Sequence, residues 1–239
     1  MLILIVISFV GIITCLLIFI TYKRYKNRQM IESVTSLERG TQSEHKLILQ
    51  LLKFGISPKA IFHDLYFPAG NGKYSQSDIV VATKVGIIVF EVKDYSGWIF
   101  GNGNYRYWTQ VLSKGKYKYK FYNPIKQNQK HIEVIKRQLT QLNNIPFYSV
   151  IVFYGNCKLK QIQDIPNNVF LIYNSDITLT LKSILSNIPA PYTNKYDIVT
   201  TLKQGVKNGQ NLDIVISHIS SVANYSFDTD IYNWLNNSL

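Results

Sequence analysis

The sequence predicts a layered α/β domain preceded by one N-terminal transmembrane helix, and three observations predict it. Two β-branched-rich apolar runs, Ile79 to Thr83 and Gly86 to Lys93, are too short and too continuous for surface helices and read as strands covered on both faces. Segments with apolar residues at three- and four-residue spacing lie before and after them and read as helices packed on such a sheet. Ahead of all this, Leu2 to Ile20 is an uncharged run of nineteen residues, fifteen of them Leu, Ile, Val or Phe.

As a helix that run covers about 28 Å, close to the thickness of a hydrocarbon core. At roughly 0.3 to 0.6 kcal/mol per apolar residue it would gain about 5 to 9 kcal/mol in a membrane. A cleaved signal peptide would need a positive n-region and a small-residue cleavage site. Met1 instead leads straight into the run, and Tyr22-Lys23-Arg24-Tyr25-Lys26-Asn27-Arg28 follows it. Basic residues just after the span place the N-terminus outside and the remainder in the cytoplasm, so the expected location is the cell membrane, single-pass. The chain then divides into an anchor over 1–21, a juxtamembrane linker over 22–36, one domain over 37–190 and a C-terminal helical extension over 191–239.

The first helix of the domain is expected from Leu37, with Thr41, Glu44, Ile48 and Leu51 on one stripe and Gly55 as its stop. An apolar stretch from Ile61 to Phe67 and a Gly70-Asn71-Gly72 turn lead into the two strong strands. Gly101-Asn102-Gly103-Asn104 reads as another turn, and its glycine spacing is not that of a dinucleotide fingerprint. Lys116 to Phe121 alternates lysine with aromatic residues, as an edge strand does. Asn123 and Pro124 cap a helix running to about Leu142, with Ile125, Ile132, Ile135, Leu139 and Leu142 as its core stripe. Tyr148 to Tyr154 and Val169 to Tyr173 read as strands and Ser175 to Leu185 as a helix. Two helical segments, about 195–206 and 212–223, precede a polar tail around Trp234.

Composition narrows the partners. The chain of 239 residues carries 26 Lys and Arg against 14 Asp and Glu, a net charge of +12, which favours nucleic acid or an anionic leaflet. Its two cysteines, Cys15 and Cys157, lie in different parts of the chain, which argues against a disulfide or a cysteine zinc site.

If the two strong strands form a hairpin turning about Lys84 and Val85, Asp78 faces Glu91. Carboxylates directly opposite on a sheet repel, and a divalent cation between them removes the conflict. Lys93 lies two residues beyond Glu91 on the same face, where an ammonium could offset phosphate charge or orient water. The alternative is a pair of frayed strand ends in water. Glu44 sits on the apolar stripe of its helix, so it is either paired with a cation or exposed by a shifted register.

Gly40-Thr41-Gln42-Ser43-Glu44, Gln76-Ser77-Asp78, Gly86-Ile87-Ile88-Val89-Phe90-Glu91-Val92-Lys93, Gly97, Trp108 and Asn123-Pro124-Ile125-Lys126-Gln127 with His131 occur in the order of a known family. From about residue 37 to about 155 the chain resembles the nuclease-related domain (NERD), itself similar to the PD-(D/E)xK restriction-endonuclease-like superfamily. The resemblance implies one restriction-endonuclease-like mixed sheet flanked by helices over 37–190, and metal-dependent hydrolysis of phosphodiester bonds. It implies Mg2+ or Mn2+ held by Asp78, Glu91 and the Val92 carbonyl, with Glu44 completing or supporting the site. Lys93 would position the attacking water and Gln127 would be an auxiliary polar residue, giving a catalytic set of Glu44, Asp78, Glu91, Lys93 and Gln127. Ser77 stands where many members carry an aliphatic residue.

The segment from Lys114 to Arg137 holds eight Lys or Arg and one acid, Glu133. Lys114, Lys116, Lys118, Lys120, Lys126 and Lys130 are candidates for binding a nucleic-acid backbone, with DNA ahead of RNA. A solubilising edge strand is the plainer alternative. His131 reads as a hydrogen-bonding surface residue. Two other readings of the whole stay open: a non-catalytic nucleic-acid-binding or scaffolding module tethered to the membrane, and an adaptor contacting anionic lipid.

Overall fold

The computed structural model describes residues 2–139 and 144–222, apart from the side chains of residues 2–6, 8 and 114. Helix α1 (Leu2–Glu32) leads through turns into α2 (Gln42–Phe54). Strands β1 (Ile61–Gly70), β2 (Lys73–Thr83) and β3 (Gly86–Asp94) follow, then β4 (Gly97–Asn102), β5 (Tyr107–Leu112) and β6 (Tyr117–Tyr122). Helix α3 (Pro124–Gln138) precedes β7 (Phe147–Tyr154), β8 (Cys157–Gln163) and β9 (Val169–Tyr173), and α4 (Ile177–Leu185) and α5 (Lys195–Asn208) complete the order, with a further helix over 212–222.

The main sheet has the order β1-β2-β3-β7-β9; the first three strands are antiparallel, and β7 and β9 run parallel to β3. Period-two alternation divides its apolar residues between two cores. Ile79, Val81, Ile88 and Phe90 pack with Leu47, Ile48 and Leu51 of α2 and Leu181 and Ile184 of α4. Val80, Ile87 and Val89 point the other way, toward Ile132 and Ile135 of α3 and Ile198 and Leu202 of α5. Burial on both faces is why β3 reads as an unbroken apolar run.

A second sheet, of order β6-β5-β4-β8, takes three strands from the segment between β3 and α3 and the fourth from after β7, and packs one face on the main sheet through Ile99, Trp108, Ile125, Ile151 and Phe153. The single mixed sheet expected from sequence is therefore corrected to two mixed sheets flanked by helices. Strands β4, β5 and β8 are short and interleave glycine, glutamine or lysine with their apolar residues, so no continuous run betrays them. Strand β6 does lie at a sheet edge, as its alternation predicts.

Other boundaries move for local reasons. Helix α2 starts at Gln42 rather than Leu37, because the Thr41 hydroxyl accepts from the Glu44 N–H and caps it there. Gly55 ends it in the left-handed region, as expected. Gly101 and Asn102 belong to β4, and the turn comes after them. Helix α3 stops at Gln138, and Leu142, residue 223 and Trp234 lie outside the described residues.

The N-terminal run is helical, but among the described residues no helix is long and apolar enough to cross a membrane. The uncharged run ends at Ile20 and the next residues are Thr21 and Tyr22. Beyond them α1 carries Lys23, Arg24, Lys26, Arg28 and Glu32.

Candidate active site on the β2–β3 pair

The hairpin register pairs Ile79 with Phe90 and Thr83 with Gly86, which sets Asp78 opposite Glu91 one step further out. Neither carboxylate is at a frayed end: Glu91 is 1% exposed and Asp78 8%. Pairing of β3 with β7 continues past Glu91 to Asp94, and this holds Glu91 inside. The Asp78 carboxylate accepts from the Val92 backbone N–H at 2.8 Å and from the Gln76 amide at 3.3 Å.

Lys93, on the same strand face as Glu91, sets its Nζ 2.6 Å from Glu91 Oε1 and donates to Gln127 Oε1 at 3.1 Å. Gln127 reaches it from the first turns of α3, whose start is fixed by the Asn123 side chain accepting from the Ile125 N–H and by Pro124. One turn on, His131 brings Nε2 to 3.4 Å from Glu91 Oε2, while its Nδ1 lies 2.8 Å from the Ser75 hydroxyl. His131 is 8% exposed and belongs to the site, not to the surface as expected. Its spacing of four from Gln127 put both on one flank of α3, which was the available signal. Ser75 carried none.

The charges are unequal. Burial, then the neighbouring charges of Glu91 and Glu44, push Asp78 well above the usual carboxylate value. Burial would do the same to Glu91, but Lys93 and then His131 outweigh it and hold Glu91 below the ordinary value. Burial would lower Lys93, and Glu91 followed by Asp78 reverse that, keeping the ammonium charged. One carboxylate of the facing pair is thus neutralised by an ion pair while the other has none.

Glu44 is buried and paired, at 6% exposure. Its Oε2 lies 2.8 Å from His63 Nε2 and its Oε1 accepts from the Thr41 hydroxyl at 2.8 Å, while the other His63 nitrogen lies 2.8 Å from the Thr35 hydroxyl. Gly40, at φ +76°, makes room for this contact, since a Cβ there would come within 2.5 Å of both Glu44 Oε2 and His63 Nε2. Burial raises the Glu44 carboxyl, but His63 and Thr41 together hold it below its ordinary value. Among the described residues, no group of three or more His, Cys, Asp or Glu is gathered as a metal cluster. The Glu44 charge acts on Asp78 and helps raise its carboxyl.

The donor set nevertheless suits a hard divalent cation. Asp78 and Glu91 offer oxygens, and Glu91 Oε2 and His131 Nε2 are both buried without a hydrogen-bond partner. A buried carboxylate oxygen without a donor is a place where an ion or water is expected.

Of the candidate backbone-binding lysines, Lys116, Lys118 and Lys120 are exposed around β6, Lys130 is exposed on α3, and Lys126 is half-buried there. The side chain of Lys114 lies outside the described residues.

Fold and site together define a mixed α/β domain with a buried Asp and Glu-x-Lys set at the end of an antiparallel strand pair. Residues 39–154 match the family described as nuclease-related domain. The restriction-endonuclease-like superfamily is consistent with it. An uncharacterized protein of Bacillus anthracis is 30% identical over 140 residues, covering 58% of this chain and 64% of that protein, so the match spans less than two thirds of the relative. No solved structure matches the chain.

Proposed function

We propose that the protein is a metal-dependent nuclease that hydrolyses phosphodiester bonds of nucleic acid. The observation that carries this reading is the buried Glu91 carboxylate, which faces Asp78, is neutralised on one oxygen by Lys93 and is left without a donor on the other. Asp78, Glu91 and the Val92 carbonyl would hold Mg2+ or Mn2+. When bound, such an ion supplies a Lewis acid and acidifies a bound water.

Each protein group has its own part in this reading. Lys93, kept charged by two carboxylates, offsets negative charge on a phosphate and orients water; Gln127 fixes its ammonium. His131, anchored through Ser75, sets its Nε2 3.4 Å from the second Glu91 oxygen, beside the place the ion would take. Glu44, locked by His63 and Thr41, adds a fixed negative charge behind Asp78.

The match of residues 39–154 to the nuclease-related domain supports nucleic acid as the partner. DNA is the substrate we place ahead of RNA. The apolar side chains of α1 also need an environment: Phe9, Ile12, Ile18 and Phe19 are each 60% exposed or more. We place residues 2–20 in a lipid bilayer, with Lys23, Arg24, Lys26 and Arg28 keeping the domain on the cytoplasmic side of the cell membrane. A reporter fused at the C-terminus would be active only in the cytoplasm; activity outside would reverse this orientation.

Cleavage of labelled single- and double-stranded DNA and RNA with magnesium, manganese or chelator tests the activity. Asp78→Ala and Glu91→Ala should each remove most of the rate. Because residues acting as a unit are non-additive, Asp78→Ala/Lys93→Ala should be scarcely slower than Asp78→Ala alone. Inactivity of the folded wild type on every substrate would favour the tethered binding module, and activity surviving in both ligand variants would point elsewhere.

A further inference from the structure

We infer that the outer face of the second sheet is a stacking platform for single-stranded nucleic acid. This rests on the nuclease reading and specifies its substrate as a single strand. Residues directly paired across strands share a face. The registers β6 to β5, β5 to β4 and β4 to β8 therefore align Lys118, Val111, Trp98 and Lys158 in one row across all four strands. Lys120, Thr109, Phe100 and Gln161 form the next row on the same face. The opposite face carries Ile99, Trp108 and Phe121, which pack inward.

Three features of the outer face agree on the occupant. Most of it is open: Trp98 is 37% exposed and Lys118, Lys120, Lys158 and Gln161 are exposed, with Phe100 and Thr109 half-buried and Val111 buried between them. It is of one charge: residues 95–122 and 157–163 contain seven Lys or Arg and no Asp or Glu, although the chain has 14 acids. It brings an aromatic ring and a cation together: the Lys160 ammonium lies over the Trp98 ring, 5.2 Å from its centroid, and a base taking that face would move it toward the phosphates. At a strand spacing of about 4.8 Å, Lys158 stands about 5 Å to one side of Trp98 and Lys118 about 10 Å to the other. A base stacked on the indole would have its phosphates between lysines. Bases in a duplex hide their faces in the stack, so this arrangement favours unpaired strands.

The platform also adjoins the reaction site along the chain. Trp98 follows Lys93 by five residues, and β6 ends at Tyr122, two residues before α3 with Gln127 begins. The strand that carries the Glu-x-Lys pair and the helix that carries its partner are thus joined by three of the platform's strands, β4, β5 and β6.

The test is fluorescence anisotropy with the full chain in detergent, in excess chelator so that binding is read without cleavage. The probes are labelled oligothymidylate and oligouridylate of about 20 nucleotides, long enough for one binding site, and a duplex of the same length. Both single strands should bind more tightly than the duplex and quench tryptophan emission. Trp98→Ala should weaken them about tenfold, and Trp98→Phe should remove the quench while keeping most of the affinity. Each of Lys118→Ala, Lys120→Ala and Lys158→Ala should lower the slope of log affinity against log salt by about 0.7. Since Lys158 is exposed, Lys158→Ala with an unchanged melting temperature separates lost binding from misfolding.

Equal or tighter duplex binding, or wild-type affinity and slope in all these folded variants, would overturn the platform. So would binding to phosphatidylserine vesicles that needs these lysines while the oligonucleotides do not bind. A protein that binds single strands in chelator yet cleaves nothing with metal would retain the platform and lose the nuclease. Cleavage undiminished by the Trp98 and lysine variants, with binding equally unaffected, would do the reverse.

Discussion

Asp78 and Glu91 face each other across β2 and β3, and Lys93 neutralises only Glu91. The asymmetry has a thermodynamic consequence. Burial, Glu91 and Glu44 raise Asp78 above 3.8, so the fold takes up a proton more readily than the unfolded chain does. Its ionisation opposes folding: that penalty is absent below about pH 3.8 and grows as pH rises toward the folded value.

Asp78→Asn should therefore melt higher than wild type at neutral pH without metal, while being inactive. Adding magnesium or manganese should reverse the order. A ligand at a hundred times its dissociation constant stabilises the native state by about 2.7 kcal/mol, or roughly 5 to 10 °C for a chain of this size. Thermal melts of both proteins with and without metal check this. Equal metal shifts in the two would remove Asp78 from the ligand set.

Lys93→Ala should abolish turnover yet leave metal binding intact, because it removes a positive charge from beside the ligands. Without metal it strands Glu91, a carboxylate 1% exposed, and breaking such a buried pair costs about 3 to 5 kcal/mol. The variant should thus melt well below wild type when apo and recover much of the difference with manganese. Calorimetric titration and melting curves read the two effects separately.

His131→Ala should be milder. Partners of a ligating carboxylate typically contribute about 10- to 100-fold in metal affinity or activity. His131 touches Glu91 only at 3.4 Å and is held by Ser75, so a tenfold weaker manganese affinity is expected, and Ser75→Ala should show part of the same loss. An affinity unchanged in His131→Ala would make the histidine a packing residue.

Much of this geometry was legible because the chemistry is local. The register of β2 with β3 follows from a symmetric two-residue turn, and it alone places Asp78 against Glu91 and Lys93 on the Glu91 face. The Glu44 stripe position likewise announced a buried partner. The partner itself, His63, is nineteen residues away on β1, and nothing in periodicity couples a helix face to one position of a later strand. The same limit hid Ser75 beside His131, 56 residues apart. Strands β4, β5 and β8 of the second sheet escaped notice for a different reason: at six or seven residues each, they show no apolar run long enough to count as a pattern.

Glu44 supplies the acid-limb prediction. Despite burial, His63 and Thr41 hold its carboxyl below 4.5, the sign opposite to that of Asp78. A carboxyl lowered in the fold contributes stability that is fully present above about pH 4.5 and is lost as pH falls through the folded value below it. Glu44→Gln keeps the shape but leaves His63, 1% exposed, without its carboxylate, and removing one member of a buried pair costs about 3 kcal/mol. At neutral pH the variant should melt roughly 6 to 12 °C below wild type. The gap should narrow as the pH is lowered beneath 4.5, because wild type then loses the same interaction by protonation. Denaturation curves of both proteins between about pH 3 and 7 test this, the range being set by the unperturbed carboxylate value. A gap that stays constant across that range would show that Glu44 acts by packing and not by its charge. Its proposed electrostatic hold on Asp78 would then have to be abandoned with it.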